Sequence, residues 1–172
     1  MIKFTHCSTD SDYCFALKIT EDYVKWLKID LEFQDINKEL KNFHSVYGPP
    51  KGLYLLAWSD NEIAGGAGLR MLEGPICEMK RLFVYDRFRC KGIGRMLCTE
   101  LINEAQKLGY KKMRLDTLSS MSAAISLYDS LGFKVIEAYR FNPDPYARFM
   151  ELNLENTEFN KPQGLNSNFH LK

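Results

Sequence analysis

The chain has 172 residues, 45% of them hydrophobic and 26% charged, with a formal net charge of +1. That length suits one domain with a single core, and the composition rules out a disordered, collagen-like or disulfide-stapled chain. The small net charge removes the global positive field that drives nucleic-acid binding, and five cysteines without a C-x-x-C pair speak against a disulfide framework or a thiolate zinc site and fit a reducing cytoplasm.

The N-terminus, Met1-Ile2-Lys3-Phe4, turns polar too early for a signal peptide, and no later stretch is apolar for long enough to span a bilayer. A cytoplasmic protein without membrane contact is the expectation. Ile2 to Phe4 reads as a short strand. Ser11 to Leu40 carries apolar residues at helical spacing, interrupted near Asp30 to Asp35, which predicts two helices joined by a loop. Gly48-Pro49-Pro50 stops the second helix. Leu53 to Trp58 and Glu62 to Met71, separated by Ser59-Asp60-Asn61, predict a hairpin, and Glu73-Gly74-Pro75 turns the chain into a strand from Ile76 to Val84.

A basic loop with Arg87, Arg89 and Lys91 then opens a helix whose stripe is Ile93, Leu97, Leu101, Ala105 and Leu108 and whose stop is Gly109. Lys112 to Leu118 alternates as a strand. Ser122 to Leu131 is predicted helical up to Gly132, and Phe133 to Tyr139 and Arg148 to Leu154 are the last strands, with Asn142-Pro143-Asp144-Pro145 between them. No internal repeat is present. The domain is expected at 1–155, and 156–172, polar and aperiodic, as a poorly ordered tail.

Arg89-Cys90-Lys91-Gly92-Ile93-Gly94-Arg95 lies where a strand hands over to a helix. The first helical N–H groups lack intrahelical partners, the helix dipole is positive there, and glycine allows close approach to the backbone, so a pyrophosphate fits. A helix start with solvated basic residues would look the same. The dinucleotide pattern G-x-G-x-x-G fails at Leu97, and the P-loop pattern is absent.

Two motifs in register carry a resemblance. Arg89-Cys90-Lys91-Gly92-Ile93-Gly94 matches [QR]-x-x-G-x-[GA], and Ala124-Ile125-Ser126-Leu127-Tyr128-Asp129-Ser130-Leu131-Gly132-Phe133 matches A-x-x-L-Y-x-x-x-G-F. The sequence thereby resembles the GCN5-related N-acetyltransferase (GNAT) superfamily from the N-terminus to about Glu155. Leu31 to Gln34, Glu78 to Leu82 and Arg114 to Leu118 look like a bacterial branch of small N-acetyltransferases. The resemblance implies an α/β (α+β) fold with a mixed, mostly antiparallel, splayed sheet of about seven strands flanked by about four helices.

It also implies acetyl-CoA as cosubstrate, held by the backbone of Leu82, Phe83 and Val84, by the loop from Arg89 through Cys90, Lys91, Gly92, Ile93 and Gly94 to Arg95, and by Ser120. Many relatives place Asn where this chain has Met121, so Ser120 or Ser122 is expected in its stead. The implied partner is a small-molecule or peptide amine, with no nucleic acid, no membrane, no metal and room for a homodimer.

An amine attacks a thioester only as its free base, so the site must accept a proton. The resemblance points to Glu78 as that base, directly or through water, and to Tyr128 as the acid that protonates the departing thiolate. Period two puts Glu78, Lys80, Leu82 and Val84 on one face. A simple ion pair for Glu78, and a packing role for Tyr128 on its Ala124-Leu127-Tyr128-Leu131 stripe, are the structural alternatives. Cys90 invites a covalent acyl-enzyme, but the family transfers the group directly and no histidine is near it in sequence; His6, His44 and His170 are scattered.

By the same resemblance the loop between the first two helices covers the acceptor, which nominates Asp30, Phe33 and Gln34. A catalytically silent acyl-CoA-binding or sensor module is the alternative from another class.

Overall fold

The structure, a computed structural model, describes residues 1–155; the tail expected at 156–172 lies outside the described residues. Seven strands, β1 (Ile2–His6), β2 (Leu53–Ser59), β3 (Glu62–Glu73), β4 (Ile76–Val84), β5 (Lys112–Thr117), β6 (Lys134–Ile136) and β7 (Arg148–Asn153), form one sheet in the order β1-β2-β3-β4-β5-β7-β6. All neighbours are antiparallel except β4 and β5. Among the described residues five helices flank it: α1 (Asp10–Leu27), α2 (Ile36–Lys41), α3 (Phe43–Tyr47), α4 (Ile93–Lys107) and α5 (Ser122–Ser130).

Local chemistry explains most of these boundaries. Thr9 caps α1 in a reciprocal box with Asp12, each side chain accepting from the other residue's backbone N–H. Gly109 and Gly132, at φ +84° and +92°, follow α4 and α5 in the left-handed region where a Cβ is costly. One helix more than expected arises because Asn42, at φ −113°, leaves helical geometry and donates its side-chain amide to the Lys38 carbonyl at 2.8 Å, splitting the second predicted helix into α2 and α3. The strand expected at Phe133 to Tyr139 is cut to Lys134–Ile136, because Tyr139 and Arg140 turn inward toward Glu78.

Two apolar clusters lie on opposite faces of the sheet. The larger joins the α4 stripe of Ile93, Leu97, Leu101 and Ala105 with Cys77, Met79, Met113, Tyr128 and Phe133. The smaller joins Tyr13, Ala16 and Ile19 of α1 with Phe43, Tyr47, Tyr54 and Phe83. Tyr47 reaches β3 because Gly68 has no side chain: a Cβ there would stand 2.4 Å from the Tyr47 ring.

Two departures from a regular sheet create the site. In β4, Lys80 pairs with Gly68 and Phe83 with Gly66, so Arg81 and Leu82 together face Ala67, and Arg81 sits at φ +58°. This β-bulge reverses the in–out phase of the strand. The predicted common face of Glu78, Lys80, Leu82 and Val84 is therefore corrected: Leu82 and Val84 pack on the α4 side with Met79, while Phe83 joins the α1 side. The second departure is that β4 and β5 pair only from Ile76 to Glu78, against Lys112 to Arg114, and then diverge.

Candidate active site

The divergence of β4 from β5 opens a wedge, and α1 and α5 supply its remaining walls. One side is a groove of about 530 Å3 lined by Trp26, Leu82, Phe83, Val84, Arg89, Gly94, Ser120 and Leu127 among others. Beyond Glu78 no strand pairs with this edge of β4 among the described residues, so an extended ligand can add to it as a strand does. At one end α4 begins at Gly92, φ +77°, with no side-chain cap, so its first N–H groups are open to an anion. A Cβ on Gly94 would lie 3.8 Å from the Leu127 side chain and 4.0 Å from that of Val84, both of which line the groove, so its absence widens the groove there.

Arg89 lies over the Trp26 ring at 4.7 Å, donates to the Val84 carbonyl at 3.0 Å and pairs with Asp86, which fixes a cation along the groove wall. Cys90, Lys91 and Gly92 are exposed beside it; Ile93 is buried in the core; Arg95 turns to Ser130 at 2.5 Å. These groups fit an elongated anionic cosubstrate.

The other side of the wedge is a pocket of about 70 Å3. Tyr23, Leu27, Leu31 and Phe33 give it apolar walls, and Gln34, Lys80, Arg81, Asp116 and Asn142 give it polar ones. Tyr128 lines it too; its hydroxyl has no hydrogen-bond partner among the described residues, and burial raises its pKa well above the usual tyrosine value. Groove and pocket share Leu27, Leu82, Leu118, Met121 and Ala124, so the two spaces are separated only by common side chains.

The polar part of the pocket belongs to a buried charge network. Glu39 accepts from Arg81 Nε and from the Arg81 amino group at 2.8 Å each and from the Tyr47 hydroxyl at 2.7 Å. Burial pushes this carboxyl up, but the Arg81 hydrogen bonds and charge overcome that and hold it at about 2. Gln34 joins the pieces: its Oε1 accepts from Lys80 at 2.7 Å and Arg81 at 3.1 Å, and its Nε2 donates to Asp116 at 3.1 Å. Asp116 also accepts from Asn142 at 3.1 Å and pairs with Arg140 at 3.1 Å and Lys80 at 3.9 Å. Burial first, then the neighbouring Arg81, lower the Lys80 ammonium to about 7.

Glu78, fully buried, accepts from Arg70 at 2.9 Å and the Tyr139 hydroxyl at 2.9 Å and contacts Arg140. It does not line the pocket. The wedge brings together Leu82, Phe83, Val84, Arg89, Gly94, Ser120, Phe33, Gln34 and Tyr128, with Phe33 held edge-on by Phe141. Asp30 is exposed and accepts from the Glu32 N–H at 2.9 Å, away from the pocket lining. Asp116, Lys80, Glu39, Arg140 and Asn142 were not singled out in the sequence, since the contacts that join them to Gln34 cross from four separate segments; the polar residues at strand positions 80 and 116 were the available signal.

Comparison with known proteins agrees with this geometry. Residues 17–133 match the Acetyltransferase (GNAT) family. An uncharacterized N-acetyltransferase of Schizosaccharomyces pombe is 39% identical over 138 residues, covering 79% of this chain and 85% of its own. An acetyltransferase of the GNAT family from Staphylococcus aureus has the same fold, with a TM-score of 0.73 at 23% identity over 90% of this chain and 99% of that one. The PaiA N-acetyltransferase of Thermoplasma acidophilum, solved in complex with coenzyme A, superimposes with a TM-score of 0.67 at 20% identity, covering 89% and 99%. With the family matched over most of its length and a wedge of the matching fold, the chain belongs to the GNAT acetyltransferase family and is an acetyl-CoA-dependent N-acetyltransferase.

Proposed function

We propose that acetyl-CoA lies along the groove with its pyrophosphate at the start of α4, that a compact amine enters the 70 Å3 pocket, and that the acetyl group passes directly between them. The observation that carries this reading is the set of side chains common to groove and pocket, which brings a thioester at the end of one within reach of a nitrogen in the other. The amine nitrogen bonds to the acyl carbon, the carbon–sulfur bond breaks, and the sulfur leaves as a thiolate. Tyr128 hands the thiolate its proton, and solvent later returns one to the phenol.

The amine enters as an ammonium at neutral pH and must give one proton to a carboxylate, directly or through water, before its lone pair can attack; its second proton leaves to solvent once the nitrogen is bonded to the acyl carbon. Asp116 is the carboxylate that lines the pocket, and in this proposal it accepts the first of these protons. Glu78 lies one layer behind, sharing Arg140 with Asp116, and holds Arg140, Arg70 and Tyr139 in place as a positioning residue. The test is acetyl-CoA consumption, followed through the released thiol, over a panel of small amines. Turnover of none, with acetyl-CoA bound tightly, would overturn the direct-transfer reading.

A further inference from the structure

With Lys80 protonated, the charge network beside the pocket is not neutral. Arg70, Lys80, Arg81 and Arg140 face Glu39, Glu78 and Asp116, four cations to three carboxylates among the described residues. Glu39 is taken up by Arg81, and Glu78 by Arg70, Arg140 and Tyr139. Lys80 is left with a neutral acceptor, Gln34 Oε1, and with Asp116 at 3.9 Å, beyond hydrogen-bond reach, although its side chain is only 4% exposed. Arg140 Nε is a second spare donor, buried and without a partner among the described residues. A buried cation short of an anion is costly, and Lys80 lines the acceptor pocket.

We infer that the missing anion is a carboxylate of the acceptor, so that the substrate class is the α-amino acid, its carboxylate on Lys80 and its amine on Asp116. This rests on the reading of the pocket as the acceptor site. An α-amino acid carries its nitrogen and carboxyl carbon about 2.5 Å apart, a separation that can bridge two opposite charges held 3.9 Å from one another. Lys80 and Asp116 offer such a pair, one on β4 and one on β5, fixed by Gln34 between them. The remaining walls, Tyr23, Leu27, Leu31 and Phe33, are apolar; about 70 Å3 takes the charged head of such an acid, and an apolar side chain extends toward Leu27 and Met121, which the pocket shares with the groove. The lowered Lys80 value is in keeping with this: the ammonium lacks a full counter-charge until one arrives.

The experiment compares leucine, leucinamide and 3-methylbutylamine as acceptors, which share a side chain and differ in whether a carboxylate, an amide or a hydrogen accompanies the amine. A hydrogen bond to a charged group is strong enough that kcat/KM for leucine should exceed that for either analogue by about 10–100-fold. In Lys80→Met, of similar volume, that ratio should collapse toward one. Equal or better use of leucinamide would overturn the inference in favour of peptide N-termini; equal or better use of 3-methylbutylamine would overturn it in favour of simple amines. Retention of the wild-type ratio in a folded Lys80→Met would overturn the assignment to Lys80. If no amine is turned over, the direct-transfer reading is at fault. Calorimetric binding of leucine against leucinamide to the wild-type enzyme loaded with CoA then decides the carboxylate inference separately: preference for leucine upholds it and parity refutes it.

Discussion

Replacing Glu39 with Gln keeps the side chain's shape and removes the charge that faces Arg81. Both members of this pair are buried, at 2% and 3% side-chain exposure, so neither is relieved by solvent. Removing one partner of such a pair leaves the other uncompensated, which typically costs ~3–5 kcal/mol. Proton linkage supplies an independent figure: the fall of the Glu39 carboxyl from its ordinary 4.5 to about 2 corresponds to ~3 kcal/mol.

The sign follows from where the proton goes. Between 4.5 and about 2 the unfolded chain holds the proton at this carboxyl more tightly than the folded one, so the stabilisation is complete above 4.5 and disappears as pH falls through 2. Urea unfolding at pH 7 should show Glu39→Gln less stable by ~3–4 kcal/mol, equivalent to a melting temperature lower by about 6–15 °C for a domain of this size. The gap should narrow as pH is lowered from 5 toward 3. A double variant, Glu39→Leu with Arg81→Met, should recover most of the loss, because no charge is then stranded. A gap below about 1 kcal/mol at pH 7, the scale of an exposed ion pair, or one indifferent to pH, would refute the reasoning.

Tyr128→Phe preserves the packing against Phe133 and should lower turnover by ~10²–10⁴ while acetyl-CoA affinity, read by calorimetry, changes little; turnover within about threefold of wild type, small on that scale, would make Tyr128 a packing residue. Gly94→Val should weaken acetyl-CoA binding while leaving the melting temperature of the free protein near wild type, since a Cβ there meets nothing closer than 3.8 Å. Asp116→Asn should lose most turnover at low pH and regain part of it at high pH, where more of the amine is already free base. Glu78→Gln should lose turnover by the same factor across that range if it positions Arg70 and Arg140; recovery at high pH would mark it as the base instead.

The seven strands and the long helix α4 were legible because most repeat their own period over several residues, and β3 and α4 stop at glycines, Gly74 and Gly109. The bulge at Arg81 was not. One inserted residue leaves no trace in a run of Lys80, Arg81 and Leu82, and only the pairing with Gly66 and Gly68 reveals it. The groove was readable from its glycines and basic residues, because backbone access and positive charge are local properties. The pocket was readable only in part: Phe33, Gln34 and Tyr128 were expected and line it, whereas Lys80, Asp116 and Arg140 join Gln34 only when β4, β5 and two loops are folded together. Asp30 illustrates the reverse: charge in the predicted covering loop pointed to it, yet its carboxylate closes a turn onto the Glu32 N–H.

The short pairing between β4 and β5 has a mechanical meaning. Four strands lie on one side of it and three on the other, and their hydrogen-bonded connection is the stretch from Ile76 to Glu78. The sheet behaves there as a spine with its pages parted, and Gln34, donating across to Asp116 while accepting from Lys80, is a clasp over the opening. A ligand lodged between Leu82 and Leu118, as proposed above, would supply cross-bracing where the ladder is missing. Loading would stiffen the whole molecule, product release would slacken it, and affinity and rigidity would rise and fall together.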